Sequence, residues 1–149
     1  MKLEGLKNYF KDISLSHKDI KTFIIGNNVD VTSKIRNDYP AFFLELPYYV
    51  SPVKYNYDNV TVAFNILMST VIDDVDKNHY SISRSKEIGD VIIDYINSDD
   101  NSEFKILNYN AVSISEFTDD SLSGFRYELT LMVPRETCDS TNFKAYFNV

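Results

Sequence analysis

Residues 60–72, VTVAFNILMSTVI, decide how the rest of the chain is read. Val60, Val62, Phe64, Ile66, Met68 and Ile72 recur at period two, interrupted only by Thr70. Thr61, Ala63, Asn65, Leu67, Ser69 and Val71 alternate with them. Two-residue alternation rich in β-branched side chains is what a long half-buried strand requires. Three other segments read as its partners in an antiparallel sheet.

Upstream, Ala41–Leu46 (AFFLEL) places Phe42, Leu44 and Leu46 on one side and Ala41, Phe43 and Glu45 on the other. Pro40 biases Tyr39 towards extended backbone, because the ring clashes with helical geometry in the residue before it. Pro47 and Pro52 then bracket a tyrosine-rich stretch that carries Tyr48, Tyr49, Tyr55 and Tyr57. Proline cannot donate to a ladder, so residues 47–59 read as an edge, a bent strand or a projecting hairpin arm. Downstream, Phe104–Phe117 reads as a strand with a bulge near Asn108 and Asn110. Asp119–Gly124 reads as a turn. Phe125, Tyr127, Leu129, Leu131 and Val133 form the apolar side of another strand, stopped by Pro134.

Two segments change the period from two to 3.6. Leu3, Leu6, Phe10 and Ile13 predict an amphipathic helix ending near Ser14. Ile88, Val91, Ile92, Tyr95 and Ile96 predict a second, with Ser83 or Ser85 as its cap. Thr22–Ile25, before Gly26, reads as a short strand closed by a turn or as the tail of a second helical piece, the strand being favoured, and residues 27–38 read as a loop. Helices able to cover one sheet face predict a two-layer α+β domain over residues 1–134, with four to five antiparallel strands and two helices. Residues 135–149 contain Phe143, Tyr146 and Phe147 without a period and read as a C-terminal docking arm.

The bulk numbers fit one domain: 149 residues, 44% of them hydrophobic. With 22 acids against 15 bases the net charge is -7, which repels duplex phosphates and argues against a groove-reading DNA binder. No apolar window of about 18 residues predicts a membrane span, and residues 1–12 have no apolar core of signal-peptide length. Cys138 is the only cysteine, so no internal disulfide forms and a reducing compartment is expected. The 11 Tyr and 10 Phe suit a surface partly buried against another chain, or simply a strand-rich core.

No catalytic constellation is visible. His17 and His79 lie in separate polar segments, away from metal-ligand spacing with each other or with Cys138. Glycines at 5, 26, 89 and 124 are too scattered for a phosphate loop. Asp73, Asp74 and Asp76 lack the glycine and the downstream glutamate of a calcium loop. Aspartates there and at Asp99, Asp100, Asp119 and Asp120 read first as solvated turns and helix ends. No enzyme activity, metal or cofactor is expected.

In this order of elements the chain resembles the neck and tail-completion proteins of tailed bacteriophages, such as tail terminators and portal-proximal ring proteins. The likeness rests on the amphipathic N-terminal helix, on YPAFFLEL turning through YYVSPVKYNYDN into VTVAFNILMSTV, and on SKEIGDVIIDYI followed by a strand pair ending GFRYELTLMVP. The resemblance implies a tail terminator-like fold and a structural virion protein of the neck or tail, assembled in the host cytoplasm. It implies a closed six- or twelve-fold ring around a channel through which DNA passes unread, stacked on portal, ring or tail proteins. Tyr48, Tyr49, Tyr55, Tyr57, Phe143, Tyr146 and Phe147 are then the candidate subunit-interface residues. Asp73, Asp74, Asp119 and Asp120 are candidates for the channel lining. A small non-enzymatic binding or adaptor module with an aromatic-rich groove is the alternative.

Overall fold

The structure is a computed structural model that describes residues 2–27, 38–54, 56–69, 74–100, 102–117 and 122–135. Its elements run α1 (Leu3–Ser16), β1 (Thr22–Gly26), β2 (Ala41–Glu45), β3 (Tyr49–Lys54), β4 (Tyr57–Ser69), α2 (Val75–Ser98), β5 (Lys105–Phe117) and β6 (Leu122–Pro134). The α+β expectation holds, and the sheet is larger than expected, with six strands in the order β1-β2-β4-β6-β5 and β3 also on β4.

The sheet is mixed, not antiparallel. β1 runs parallel to β2, from Thr22 opposite Ala41 to Gly26 opposite Glu45. A parallel neighbour needs a crossover of about a dozen residues or more, and the connection from Asn27 to Pro40 is long enough to make it. Every other pairing is antiparallel. β2 and β3 lie end to end along one side of β4, opposite Phe64–Leu67 and Tyr57–Thr61 respectively. The break between them falls at Leu46–Tyr48, where the Leu46–Pro47 peptide is cis. β6 pairs along the whole other side of β4.

Both helices contribute to one core on one side of this sheet. Leu6 and Phe10 of α1 and Ile88, Ile92, Ile93 and Ile96 of α2 meet Phe42, Leu44, Val60, Val62, Phe64, Ile66, Tyr127, Leu129 and Leu131. The alternation read from residues 60–66 is therefore the core-facing side of β4. A row of rings crosses all five strands of the main path: Phe23 to Phe42 (5.8 Å), Phe42 to Phe64 (4.8 Å), Phe64 to Tyr127 (4.9 Å) and Tyr127 to Tyr109 (6.2 Å). Stacked aromatic pairs add about 0.5–1.5 kcal/mol each beyond the area they bury. Much of the aromatic content thus serves the core.

The other face is also apolar at one end. Ile24, Ala41, Phe43, Leu67 and Leu122 form a second buried cluster there. Towards the hairpin end the same face turns polar, with Asn65, Arg126 and Glu128 on adjacent strands.

α2 starts well before its expected cap. Asp74 is the N-cap and its Oδ1 accepts from the Lys77 amide at 3.0 Å. Ser85 lies buried inside the helix and donates to the Ser81 carbonyl at 2.8 Å. The bulge expected in β5 is present between Ile106 and Asn108, and a second irregularity lies between Ile114 and Phe117.

Candidate assembly surface

β5 ends the sheet. It pairs with β6 on one side, and its other side has no strand among the described residues. Between the two irregularities, Asn108–Ile114 keep unbroken register with β6. Along this run Leu107 is 50% exposed, Tyr109 44% and Val112 56%. The strand, KILNYNAVSISEF, has no proline or glycine, and its charges stand only at Lys105 and Glu116. Natural sheets blunt such edges with proline, charge or short length, because unpaired amides and carbonyls template pairing with another chain.

The hairpin made by β3 and the start of β4 lies at the opposite side of the sheet. Its outer strand β3 is the guarded kind of edge, six residues long with Pro52 and Lys54 in it. Residues 49–54 are laddered to β4, so this segment is a sheet strand more than a free-standing arm. Arg135 ties the base of β6 to its turn, the amide donating to the Asn56 carbonyl at 2.6 Å.

The tyrosines expected at an interface separate here. Tyr49 is 67% exposed, and Tyr57 is exposed at the tip end. Tyr48 instead packs against the main core, and its hydroxyl is buried without a hydrogen-bond partner. Burial, followed by the charge of Glu4, pushes its phenol up. Among the acids, Asp74 serves as the α2 cap. Tyr55, Phe143, Tyr146, Phe147, Asp73, Asp119 and Asp120 lie outside the described residues.

A polar group that periodicity did not single out sits beside the hairpin. Arg126 holds Glu45 bidentately, Nε to Oε1 at 2.9 Å and Nη2 to Oε2 at 3.0 Å. Nη1 donates to Glu128 Oε2 at 3.2 Å, and Asn65 Nδ2 donates to Glu45 Oε1 at 2.8 Å. Burial alone would raise the Glu45 carboxyl, but the hydrogen bonds from Arg126 and Asn65 and the guanidinium charge outweigh it and hold it below its ordinary value. The same contact with Glu45 raises Arg126. Polar residues on the alternate positions of β2, β4 and β6 were the only signal for this group, and it needed the strand order to be seen.

Between the ends of α1 and α2 lies an apolar groove of about 260 Å³, lined by Ile13, Ser16, His17, Val91, Ile92 and Tyr95. His17 Nδ1 accepts from the Asp19 amide at 3.1 Å. Among the described residues no three His, Cys, Asp or Glu side chains gather where a metal could sit, and no helix is long and apolar enough to cross a membrane. No protein-family model matches the chain, and no curated protein matches it.

Proposed function

We propose that this chain is a structural subunit that joins copies of itself edge to edge into a closed ring, in the manner of tailed-bacteriophage neck and tail proteins. The observation that carries the reading is the unguarded edge of β5. Thirteen residues of strand with exposed Leu107, Tyr109 and Val112 are a hazard in a monomer and an asset in an assembly.

The topology supports a head-to-tail join. In the sheet, β1 and β5 run in opposite directions, since β1 is parallel to β2, and β2, β4, β6 and β5 are linked by three successive antiparallel pairings. Rotation about an axis along the strands preserves direction, so β5 of one copy meets β1, at the other end of the sheet, of the next copy antiparallel. Such a heterologous contact uses two different edges and either closes or grows into a filament. Six or twelve copies around a DNA channel, seated on a portal, ring or tail protein within the virion, is the assembly this reading expects. The acidic balance of the chain lets DNA pass without sticking.

The test is negative-stain electron microscopy with light scattering on the wild-type chain and on Val112→Lys. Annular particles of uniform mass are expected from the wild type, and a folded 17.2 kDa monomer from the variant. A wild type that stays monomeric at high concentration, or rings of normal size from Val112→Lys, overturns the edge-to-edge ring. The adaptor reading draws on the α1–α2 groove; it gains ground if the protein is monomeric and Tyr95→Ala abolishes capture of a partner that the wild type retains.

A further inference from the structure

A cavity of about 170 Å³ opens on the polar part of the sheet, lined by Glu45, Pro47, Tyr49, Thr61, Ala63 and Arg126, with Glu128 at its rim. We infer that it binds an alkyl guanidinium or ammonium group. Among the described residues two carboxylates flank a single guanidinium, which leaves one negative charge uncompensated. Arg126 already directs Nε, Nη1 and Nη2 at those carboxylates. Each carboxylate offers about four lone-pair sites, so acceptors outnumber the donors that reach them. An anion entering here would meet Glu45 and Glu128, while a cation with several N–H donors completes the set.

The walls suit the rest of such a ligand. Tyr49 stands exposed at the rim and offers an aromatic face to a cation, and Pro47, Thr61 and Ala63 offer apolar contact to an alkyl chain. Arg126 holds Glu45 bidentately, so that carboxylate is positioned before the ligand arrives and less ordering remains to be done. The group can come from a free diamine or guanidine, or from a Lys or Arg side chain of a neighbouring copy.

The probe is agmatine, a guanidinium on a four-carbon chain, titrated into wild type, Glu128→Gln and Tyr49→Ala and followed by amide NMR. It is done at concentrations where light scattering detects no assembly. Saturable shifts centred on Glu45, Tyr49, Thr61, Ala63 and Glu128 are expected, with uncharged N-butylurea giving none. Loss of one charge-assisted hydrogen bond should weaken Glu128→Gln by about tenfold or more. Tyr49→Ala, at an exposed position, should weaken binding without touching the fold. No saturable shift in the wild type, or equal binding by both variants, overturns the site. Scattering at high concentration separates the sources. Glu128→Gln that still assembles like wild type assigns a free cation, and Glu128→Gln that loses assembly with agmatine binding assigns a neighbour's side chain. The edge-to-edge ring is tested separately, by assembly of the wild type and its loss in Val112→Lys.

Discussion

Gly89 of α2 lies directly over the ring of Tyr127 on β6. A Cβ built at Gly89 would fall 2.1 Å from Tyr127 Cε2 and 2.4 Å from its Cζ. Neither partner can yield easily. Tyr127 is fully buried, stacked on Phe64, and its hydroxyl donates to Asp90 Oδ1 at 2.8 Å and lies 3.0 Å from the Lys86 carbonyl. The helix therefore docks on the sheet through a notch that only glycine leaves open. Alanine should gain about 1 kcal/mol of helix propensity and lose about 1–3 kcal/mol or more by overpacking. Gly89→Ala is expected to lower the urea midpoint, and a midpoint equal to or above wild type would show that the helix can lift off Tyr127 at no cost.

Tyr127 and Tyr9 give the alkaline limb of stability its shape. Burial, then the hydrogen bond to Asp90, pushes the Tyr127 phenol far above its ordinary value. Burial, then the hydrogen bond to Asp99 Oδ2 at 2.8 Å, does the same for Tyr9. A phenol that holds its proton more tightly when folded stabilises the fold in full below the unfolded value of about 10. That contribution drains as pH rises through 10 towards the folded value, at up to about 1.4 kcal/mol per pH unit for each group. Unfolding free energy measured from pH 8 to 11.5 should fall steeply above 10 in the wild type. In Tyr9→Phe with Tyr127→Phe it should start lower, by about 1 kcal/mol per lost hydrogen bond, and fall less steeply. Parallel curves would assign the alkaline loss to other groups.

Asp74 caps α2, where Ser83 or Ser85 was expected, and the difference shows what the sequence could carry. Ile88, Ile92 and Ile96 announce the buried half of the helix through their spacing. The first turns, VDKNHYSISR, face solvent with Val75 and Tyr80 exposed, so no apolar period marks them. Periodicity reports burial, and an exposed helical turn is silent to it. The alternation of residues 60–66 and 125–133 was readable for the same reason. The parallel β1–β2 pair, the edge position of β5 and the meeting of Glu45 with Arg126 depend on strand order, which no local pattern encodes. Asp74→Ala should cost about 1 kcal/mol, while Ser83→Ala, exposed within the helix, should be neutral or slightly stabilising. Chemical denaturation of the two variants separates the assignments, and a larger loss for Ser83→Ala would move the cap.

Arg126 pairs with both Glu45 and Glu128, and removing it tests how far the polar face supports the fold. Arg126→Ala leaves Glu45 half-buried beside Asn65, with one hydrogen bond where there were three. A half-buried carboxylate stripped of its partner should cost about 1–3 kcal/mol. Glu45→Gln keeps the shape and removes the charge, so it should cost less. The sign of the pH dependence follows from the direction of the Glu45 shift. Its carboxyl lies below the ordinary value when folded, so the stabilisation is present above the unfolded value and lost as pH falls through the folded one. Unfolding free energy measured between pH 7 and 3 should therefore decline in the wild type more than in Glu45→Gln. In Arg126→Ala the decline should shrink too, since a Glu45 raised by burial with no guanidinium nearby takes its proton more readily folded than unfolded. An undiminished acid decline in both variants would place it on carboxylates elsewhere and reduce this pair to a surface contact.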